Sequence, residues 1–330
     1  MKRIVIFGGA GFIGTFVARH WLENGKADEV VVADIRPSSL TGQPGIRYVE
    51  LDVRKPIPAD LAGGPVDWIF NFAAVHREPG HEAHEYFDTN IMGATNVCAY
   101  AEAIGCNNIY FTSSISVYGP TKGPTDENAP IVPISPYGGS KYPAELIHRI
   151  WQAGDRAARR LIIVRPGVVY GPADPGNIGR MIKAIQKGYF VFPGSTNIYK
   201  SYAYIFGLLD SIDFVIASGQ QVVCYNYVET PTQQLGEIAD EVKKFCGIKA
   251  HTYSLPTSVL VPAASVVQLV LGARNPIHPV RVRKAGNSTH IVPGTLQAMG
   301  FEFKYTFASS LAHWARYRPE DFVTVQGEAA

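Results

Sequence analysis

The run Lys2-Arg3-Ile4-Val5-Ile6-Phe7 passes straight into Gly8-Gly9-Ala10-Gly11-Phe12-Ile13-Gly14, and this junction decides the fold. A short apolar run rich in Val and Ile reads as a buried strand, the glycines as a turn, and the residues from Phe12 onward as the start of a helix. Strand, glycine turn and helix in that order are what a bound dinucleotide requires. Gly8 permits the tight turn, Gly11 lets backbone N–H groups approach a pyrophosphate, and Gly14 lets the helix lie close to the sheet. The positive end of the helix dipole then faces the phosphates. A glycine loop alone also serves as a simple turn; the strand before it and the helix after it supply the context.

Further along, Val30-Val31-Val32-Ala33 reads as the second strand and ends at Asp34. That is the distance from the glycines at which a carboxylate accepts hydrogen bonds from the adenosine ribose hydroxyls. It predicts NAD over NADP, because a carboxylate repels a 2′-phosphate, although Arg36 blurs the choice by offering a guanidinium that can hold one. The plainer alternative is that Asp34 caps the strand and Arg36 is solvated. Arg47 to Leu51 is the third strand, closed by Asp52, whose side chain can reach an adenine. Val66 to Phe70 is the fourth, leading into Asn71-Phe72-Ala73-Ala74-Val75-His76. Ala73 and Ala74 let the backbone pass close to a cofactor, and His76 and Arg77 emerge at the carboxyl end of the sheet, where open α/β folds place ligands. His76 is either a substrate contact or an ordinary loop histidine.

A long helix pattern runs from Tyr86 to Ile104, and Gly93 inside it costs about 1 kcal/mol relative to alanine, which predicts a close neighbour. Asn108 to Phe111 is the fifth strand and delivers Thr112-Ser113-Ser114-Ile115-Ser116, either a serine-rich turn or a set of hydroxyls at a site. Leu161 to Val164 is the sixth, followed by Arg165-Pro166 and Val169-Tyr170-Gly171-Pro172. Asp210 to Ser218 and Val222 to Tyr225 return one last helix and strand. The fold class is therefore α/β, a Rossmann-type doubly wound parallel sheet with a smaller, mainly C-terminal substrate lobe. The expected division places 1–170 plus about 207–228 in an NAD-binding domain and 171–206 plus 229–330 in the substrate-binding lobe.

Between the fifth and sixth strands lies Ser135-Pro136-Tyr137-Gly138-Gly139-Ser140-Lys141. On a helix starting near Pro136, Lys141 stacks beside Tyr137 as an i, i+4 neighbour. An ammonium there favours the phenolate and lowers the tyrosine pKa from its reference of about 10, so the phenol can exchange a proton near neutral pH. The spacing alone recurs by chance; its place after the serines gives it weight.

With 330 residues, 46% hydrophobic and 18% charged, the chain is that of an ordinary soluble globular protein. Its net charge of +2 comes without long basic or acidic blocks, which argues against nucleic acid as the main partner. Cys98, Cys106, Cys224 and Cys246 form no Cys-x-x-Cys pair, as expected of a reduced, cytoplasmic protein. The first strand begins almost at once, leaving no room for a signal peptide. His81 and His84 are three apart with no third ligand, so no metal site is expected. Leu255 to Ala273 is apolar but carries Pro262, Ser265 and Gln268, which suit an amphipathic helix packed on a domain better than a bilayer span; no membrane partner is expected.

Taken together, Gly8–Gly14, Asn71-Phe72-Ala73-Ala74, the Asn90/Gly93/Asn96 helix, Ser113-Ser114 with Val117-Tyr118-Gly119, Tyr137 with Lys141, and Arg165-Pro166 with Val169-Tyr170-Gly171-Pro172 resemble the extended short-chain dehydrogenases/reductases. Within that family they are similar to the nucleotide-sugar epimerases, dehydratases and reductases, over nearly the whole chain. The resemblance implies that Tyr137 is the general acid/base, that Lys141 lowers its pKa and holds the nicotinamide ribose, and that Ser114, with Ser113 beside it, hydrogen-bonds the reacting sugar oxygen. It implies NAD contacts along Gly8, Gly11, Phe12, Ile13 and Gly14, then Asp34, Ile35 and Arg36, and Asp52 with Val53. Further cofactor contacts are Phe72, Ala73, Ala74, Asn90, Thr112, Pro166 and Val169. Substrate contacts are expected at His76, Ser116, Asn177, Arg180, Tyr202 and Arg281, the arginines facing the diphosphate. Related 4,6-dehydratases carry Thr-Asp-Glu where this chain has Thr112-Ser113-Ser114, which argues against dehydration. Lys200 to Ile205 departs from the family's usual pattern, which points to an unusual substrate. The expected activity is epimerisation at C4 of a nucleotide-activated sugar through a 4-keto intermediate. A net 4-dehydrogenase or 4-ketoreductase, a reductase of a non-sugar alcohol or ketone, and a non-catalytic NAD sensor are the alternatives. A homodimer through helices at 82–105 and 136–156 is expected.

Overall fold

The computed structural model describes residues 1–174, 176–188, 190–249, 252–271 and 278–322, without the side chains of 177, 270 and 271. The strands are β1 (Arg3–Phe7), β2 (Glu29–Asp34), β3 (Ile46–Glu50), β4 (Trp68–Asn71), β5 (Asn108–Thr112), β6 (Arg160–Pro166), β7 (Val168–Tyr170), β8 (Val191–Pro193), β9 (Tyr199–Lys200), β10 (Tyr202–Tyr204), β11 (Val222–Tyr227), β12 (Gln233–Gln234) and β13 (Tyr253–Leu255). The helices are α1 (Phe12–Glu23), α2 (Ala83–Ala103), α3 (Pro136–Ala153), α4 (Asn177–Gln186), α5 (Ile205–Ala217), α6 (Leu235–Cys246), α7 (Thr257–Leu271), α8 (Pro279–Ala285), α9 (Gly294–Ala298) and α10 (Phe307–Tyr317).

Seven strands form one parallel sheet in the order β11-β6-β5-β4-β1-β2-β3. The chain winds outward from β1 through β2 to β3, then returns to β4 on the other side of β1 and continues outward. The order therefore reverses at β1/β4, and a crevice opens beyond the carboxyl ends of those two strands. Every residue of β4, and all but the first residue of β1 and β2, is buried; strands covered on both faces read as unbroken apolar runs.

Two apolar layers cover the sheet. On one face Ile4, Ile6, Val30 and Val32 join Phe16, Val17 and Trp21 of α1 and Leu208 and Ile212 of α5. On the other, Val5, Phe7, Ile109 and Phe111 join Val97 and Ala101 of α2 and Ala144 and Trp151 of α3. Gly93 has the close neighbour its helix cost predicts, since a Cβ there would lie 3.0 Å from Cγ2 of Val53. The pairs β7/β10, β9/β12 and β8/β13 and helices α4 and α6 to α10 lie outside the main sheet. Within the Leu255–Ala273 run, Thr257–Leu271 forms α7 and 272–273 lie outside the described residues; among the described residues no helix is long and apolar enough to cross a membrane.

Candidate active site

The glycine loop follows β1 at the crevice. Gly8 has φ 77°, and a Cβ there would lie 2.5 Å from the backbone nitrogen of Ala73, so only glycine lets this turn and the loop after β4 meet. A Cβ on Gly14 would lie 2.6 Å from Cα of Gly9, which explains the close packing of α1 on the loop. Gly11 is the N-cap of α1 and offers no side-chain cap. The loop is thus a bare backbone cradle at a helix amino terminus, the environment a pyrophosphate needs. Asp34, 7% exposed at the end of β2, accepts hydrogen bonds from the N–H groups of Ala10 (3.0 Å) and Arg36 (3.0 Å). The Arg36 guanidinium is mostly exposed and leans towards Asp34 at 3.9 Å, while Ile35 is 61% exposed.

Two expected cofactor contacts are otherwise engaged. Both carboxylate oxygens of Asp52 accept from the Arg54 guanidinium at 2.7–3.0 Å, which holds its pKa low. The neighbouring Val53 is buried, and its carbonyl accepts from Asn96. Asn90, 3% exposed, clasps the loop after β4: its Oδ1 accepts from Val75 N–H (2.9 Å), and its Nδ2 donates to Val75 O (3.1 Å) and Ser140 Oγ (2.8 Å). Asn90 thereby shapes the crevice through the protein's own backbone.

The hydroxyl run after β5 bends into a 3₁₀ turn at Ile115–Val117, capped by the Ser114 side chain accepting from Ser116 N–H at 3.1 Å. Opposite it, α3 starts as its sequence requires, with Ser135 at the N-cap accepting from Gly138 N–H and Pro136 in the first turn. The two meet at Gly138, where a Cβ would run into the Ser116 carbonyl. Tyr137 consequently stands close enough to Ser114 for that side chain to favour its ionised form, while burial, the larger effect, pushes its phenol up to about 12. Lys141, one turn on and 2% exposed, lies over the Phe111 ring at 4.4 Å. Burial pulls its ammonium down to about 7, and the charge of Glu145 partly restores it. In the protein by itself, then, the phenol is not lowered as the spacing predicts, because desolvation outweighs the interactions that favour its ionised form. The side chains of Thr112 and Ser113 are buried beside this pair with no hydrogen-bond partner for either hydroxyl. Buried orphans of this kind are rare and point to a bound polar group.

Around Lys141 stands a network the sequence did not announce. Glu145, fully buried, takes a two-pronged ion pair from Arg165 at 2.9 and 2.7 Å. Arg165 also donates to the Tyr118 hydroxyl, which donates to Asn226 on β11. His148 stacks on Phe111 at 4.1 Å; its Nδ1 donates to Ala144 O, leaving Nε2 to accept from Asn71, and burial pulls it down to about 4, so it is neutral. Glu145 follows Lys141 by four residues, so the spacing that exposed Lys141 could have found it.

On the substrate side, His76 is exposed at the mouth, its pKa lowered first by desolvation and then by the charges of Arg77, Lys141 and Arg36, which places it near Lys141. The Arg180 guanidinium is lowered first by burial and then by Arg281, with Arg77 adding to the effect. Three arginines from the β4 loop, α4 and α8 therefore share one region. Ser116 lies beneath the start of α3. Pro166 is buried and Val169 half-buried at the end of β6 and on β7. Tyr202 does not reach the crevice: it is 8% exposed and packs against Tyr170 and Phe307, because β10 turns it into the core beside β7. Asn177 opens α4, but its side chain lies outside the described residues.

This doubly wound sheet, with its glycine cradle and Ser–Tyr–Lys arrangement, defines a dinucleotide-dependent oxidoreductase site. The model of the NAD dependent epimerase/dehydratase family matches residues 4–226, and the chain belongs to that family, within the extended short-chain dehydrogenases/reductases; it is an NAD-dependent enzyme. It is 31% identical, over 95% of its length and 94% of the relative's, to the N-acetyl-alpha-D-glucosaminyl-diphospho-ditrans,octacis-undecaprenol 4-epimerase of Escherichia coli O157:H7. It is 24% identical to UDP-glucose 4-epimerase 3 of Oryza sativa subsp. japonica, over 96% and 90% of the two chains. Its fold matches the UDP-glucuronic acid 4-epimerase of Bacillus cereus, crystallised with NAD, at a TM-score of 0.78 and 17% identity over 98% and 100% of the chains.

Proposed function

We propose that this enzyme interconverts the C4 epimers of a sugar carried on a diphosphate, by way of a 4-keto sugar. The observation that carries this reading is Tyr137 set close to Ser114 with Lys141 one turn away on α3, beside serines rather than carboxylates. Among the described residues, the carboxylates tied to this region, Glu78 and Glu145, are paired with Lys284 and Arg165, which leaves neither of them ready to expel water. NAD, when bound along the Gly8–Gly14 cradle and Asp34, supplies a hydride acceptor that returns the same hydride. Tyr137, as the phenolate, takes the proton of the C4 hydroxyl and gives it back after the sugar has presented its other face. Ser114 holds the C4 oxygen during both transfers, and Lys141 in its charged form stabilises the phenolate. The cluster of Arg77, Arg180 and Arg281 receives the diphosphate, which guanidinium groups bind in paired hydrogen bonds.

A nucleotide-activated sugar is the substrate the sequence suggests. A polyprenyl diphosphate sugar is the second reading, supported by what the relative from E. coli O157:H7 is named for and by an exposed apolar helix next to α8. A homodimer is supported by Phe87 and Met92 on α2 and Leu146 and Ile150 on α3, apolar side chains left exposed on two helices that pack together. Buried or half-buried free cysteines support a cytoplasmic location.

The test is turnover of UDP-sugars and of polyprenyl diphosphate sugars by purified enzyme, with epimers resolved by NMR. Tyr137→Phe should slow interconversion at least about a hundredfold while NAD stays bound. Full turnover in that variant, or no epimer from either substrate class, would sink the proposal.

A further inference from the structure

The second half of the chain carries an apolar surface that the proposed chemistry does not use. All three residues of β13 are exposed, Tyr253 at 67% and Leu255 at 41%, and they lead into α7. Along α7, Val259 (56%), Pro262, Ala263, Val266 (62%) and Leu269 (87%) are exposed. Their spacing of three and four residues places them in one stripe on the helix. Ala264, off that stripe, is buried, so the helix does have an inward side. None of its fifteen residues is charged. An isolated exposed valine or leucine is ordinary, but an uncharged stripe over a whole helix marks an interaction surface.

What covers it is indicated by its neighbour. Helix α8 packs against α7 and carries Arg281 and Arg283, both exposed, while its Lys284 is paired with Glu78. Arginines beside an apolar stripe match a lipid surface, with acyl chains against the stripe and phosphates against the guanidinium groups. At about 1.5 Å per residue the helix is too short to span a bilayer but long enough to lie in its interface. Arg281 also belongs to the cluster assigned to the diphosphate. A substrate whose diphosphate binds there is held beside the face that meets the lipid.

We propose that the α7 stripe, with Arg281 and Arg283, docks this enzyme on an anionic lipid bilayer, from which it draws a polyprenyl diphosphate sugar. The tail's identity rests on the diphosphate-sugar function proposed above; the docking does not. This departs from the sequence expectation of no membrane partner, which set peripheral membrane contact aside because the run is short for a span.

The experiment sediments the full chain with vesicles of phosphatidylglycerol and phosphatidylethanolamine, and with vesicles of phosphatidylcholine alone. The wild type should partition onto the anionic vesicles and be released by salt. Val266→Glu with Leu269→Glu should lower that partition at least about tenfold, and Arg283→Ala about threefold. Leu269→Ser serves as a milder variant at a side chain that touches little, and far-UV circular dichroism shows that each is folded. The charged variants should keep turnover of a sugar diphosphate on a short, water-soluble isoprenyl chain and lose it for a long-chain substrate in vesicles. Absence of the wild type from anionic vesicles overturns the docking, as does equal partition of the variants. Conversion of a dimer to a monomer by the variants, without vesicle binding by the wild type, assigns the face to a second copy and also overturns it. Vesicle binding lost in the variants, but with no turnover of either substrate by the wild type, upholds the docking and refutes the proposed function.

Discussion

Replacing Lys141 with Met should make the protein without added NAD more stable, and more so in acid than in alkali. Burial pulls this ammonium from 10.5 to about 7. Because the folded pKa lies below the unfolded one, the unfolded chain binds more protons between about pH 7 and 10.5, and stability rises with pH across that window. Each unit is worth about 1.4 kcal/mol. Below pH 7 the whole difference, 10.5 − 7, weighs against folding by about 5 kcal/mol; at pH 9 only 10.5 − 9 remains, about 2 kcal/mol. Methionine keeps most of the aliphatic stem and sheds the charge, at a loss of about 1 kcal/mol for the contact over Phe111. The variant should therefore gain about 4 kcal/mol at pH 6 and about 2 kcal/mol at pH 9, where the folded amine is already neutral and no cation–π contact is lost, while turnover collapses. Urea unfolding of both proteins at the two pH values measures the gap. A gap that stays constant with pH would show that Lys141 does not titrate near neutrality in the fold, and the electrostatic account of the site would fall.

Gly138→Ala forces a Cβ against the Ser116 carbonyl and within 3.1 Å of Pro133, so α3 must shift away from Ser114. Calorimetry should show a loss of about 1–3 kcal/mol, with kcat falling more than KM rises. Arg180→Ala and Arg281→Ala should each raise KM about tenfold and change kcat little; steady-state kinetics with a diphosphate sugar decides, and a pure kcat effect would remove them from the binding site. Glu229, 6% exposed, is pushed up to about 8 by burial, less what hydrogen bonds from Tyr170 and Ser310 return. Its folded pKa lies above the unfolded 4.5, so the acid form favours folding and stability falls as pH rises from there through about 8. Glu229→Gln should accordingly be near neutral at pH 5 and raise the melting temperature at pH 8.5; the opposite order would refute the assignment.

The half of the chain that winds the sheet was legible because its signals are local. An apolar run ending in a glycine loop, as at Ile4 to Gly8, or in an acid, as at Val30 to Asp34, marks both a strand and its carboxyl end. Strand limits moved by a residue or two, Val66–Phe70 becoming Trp68–Asn71, without altering what each strand delivers. Tyr137 and Lys141 were likewise legible from spacing. Their proton affinities were not, since these depend on burial that only the assembled sheet creates. Tyr202 and Asn90 were harder to read for a related reason. A polar side chain in a motif can serve a ligand or the protein's own backbone, and only the partners reveal which. Asn90 bonds the backbone of Val75 and the Ser140 hydroxyl, and Tyr202 packs between Tyr170, earlier in the chain, and Phe307, more than a hundred positions later.

Substrate choice was least legible because it resides where no motif does, yet the structure ties that region to the chemistry through one side chain. Glu78, on the loop after β4, pairs with Lys284 of α8 through one oxygen, and its other oxygen accepts from the Tyr137 N–H at 3.5 Å. The helix that bears Arg281 and packs on α7 is thus two contacts from the amino terminus of α3. Whatever seats a diphosphate or a lipid surface against α8 also fixes Lys284, and Lys284 fixes the carboxylate at the first turn of the catalytic helix. An ionised Glu78 there also favours the helix amino terminus, where a negative charge is stabilised. On the function proposed above, the contacts that choose the substrate therefore help set the position of the Tyr137 phenol, and this link gives a physical role to a charged pair between two segments so far apart in the chain.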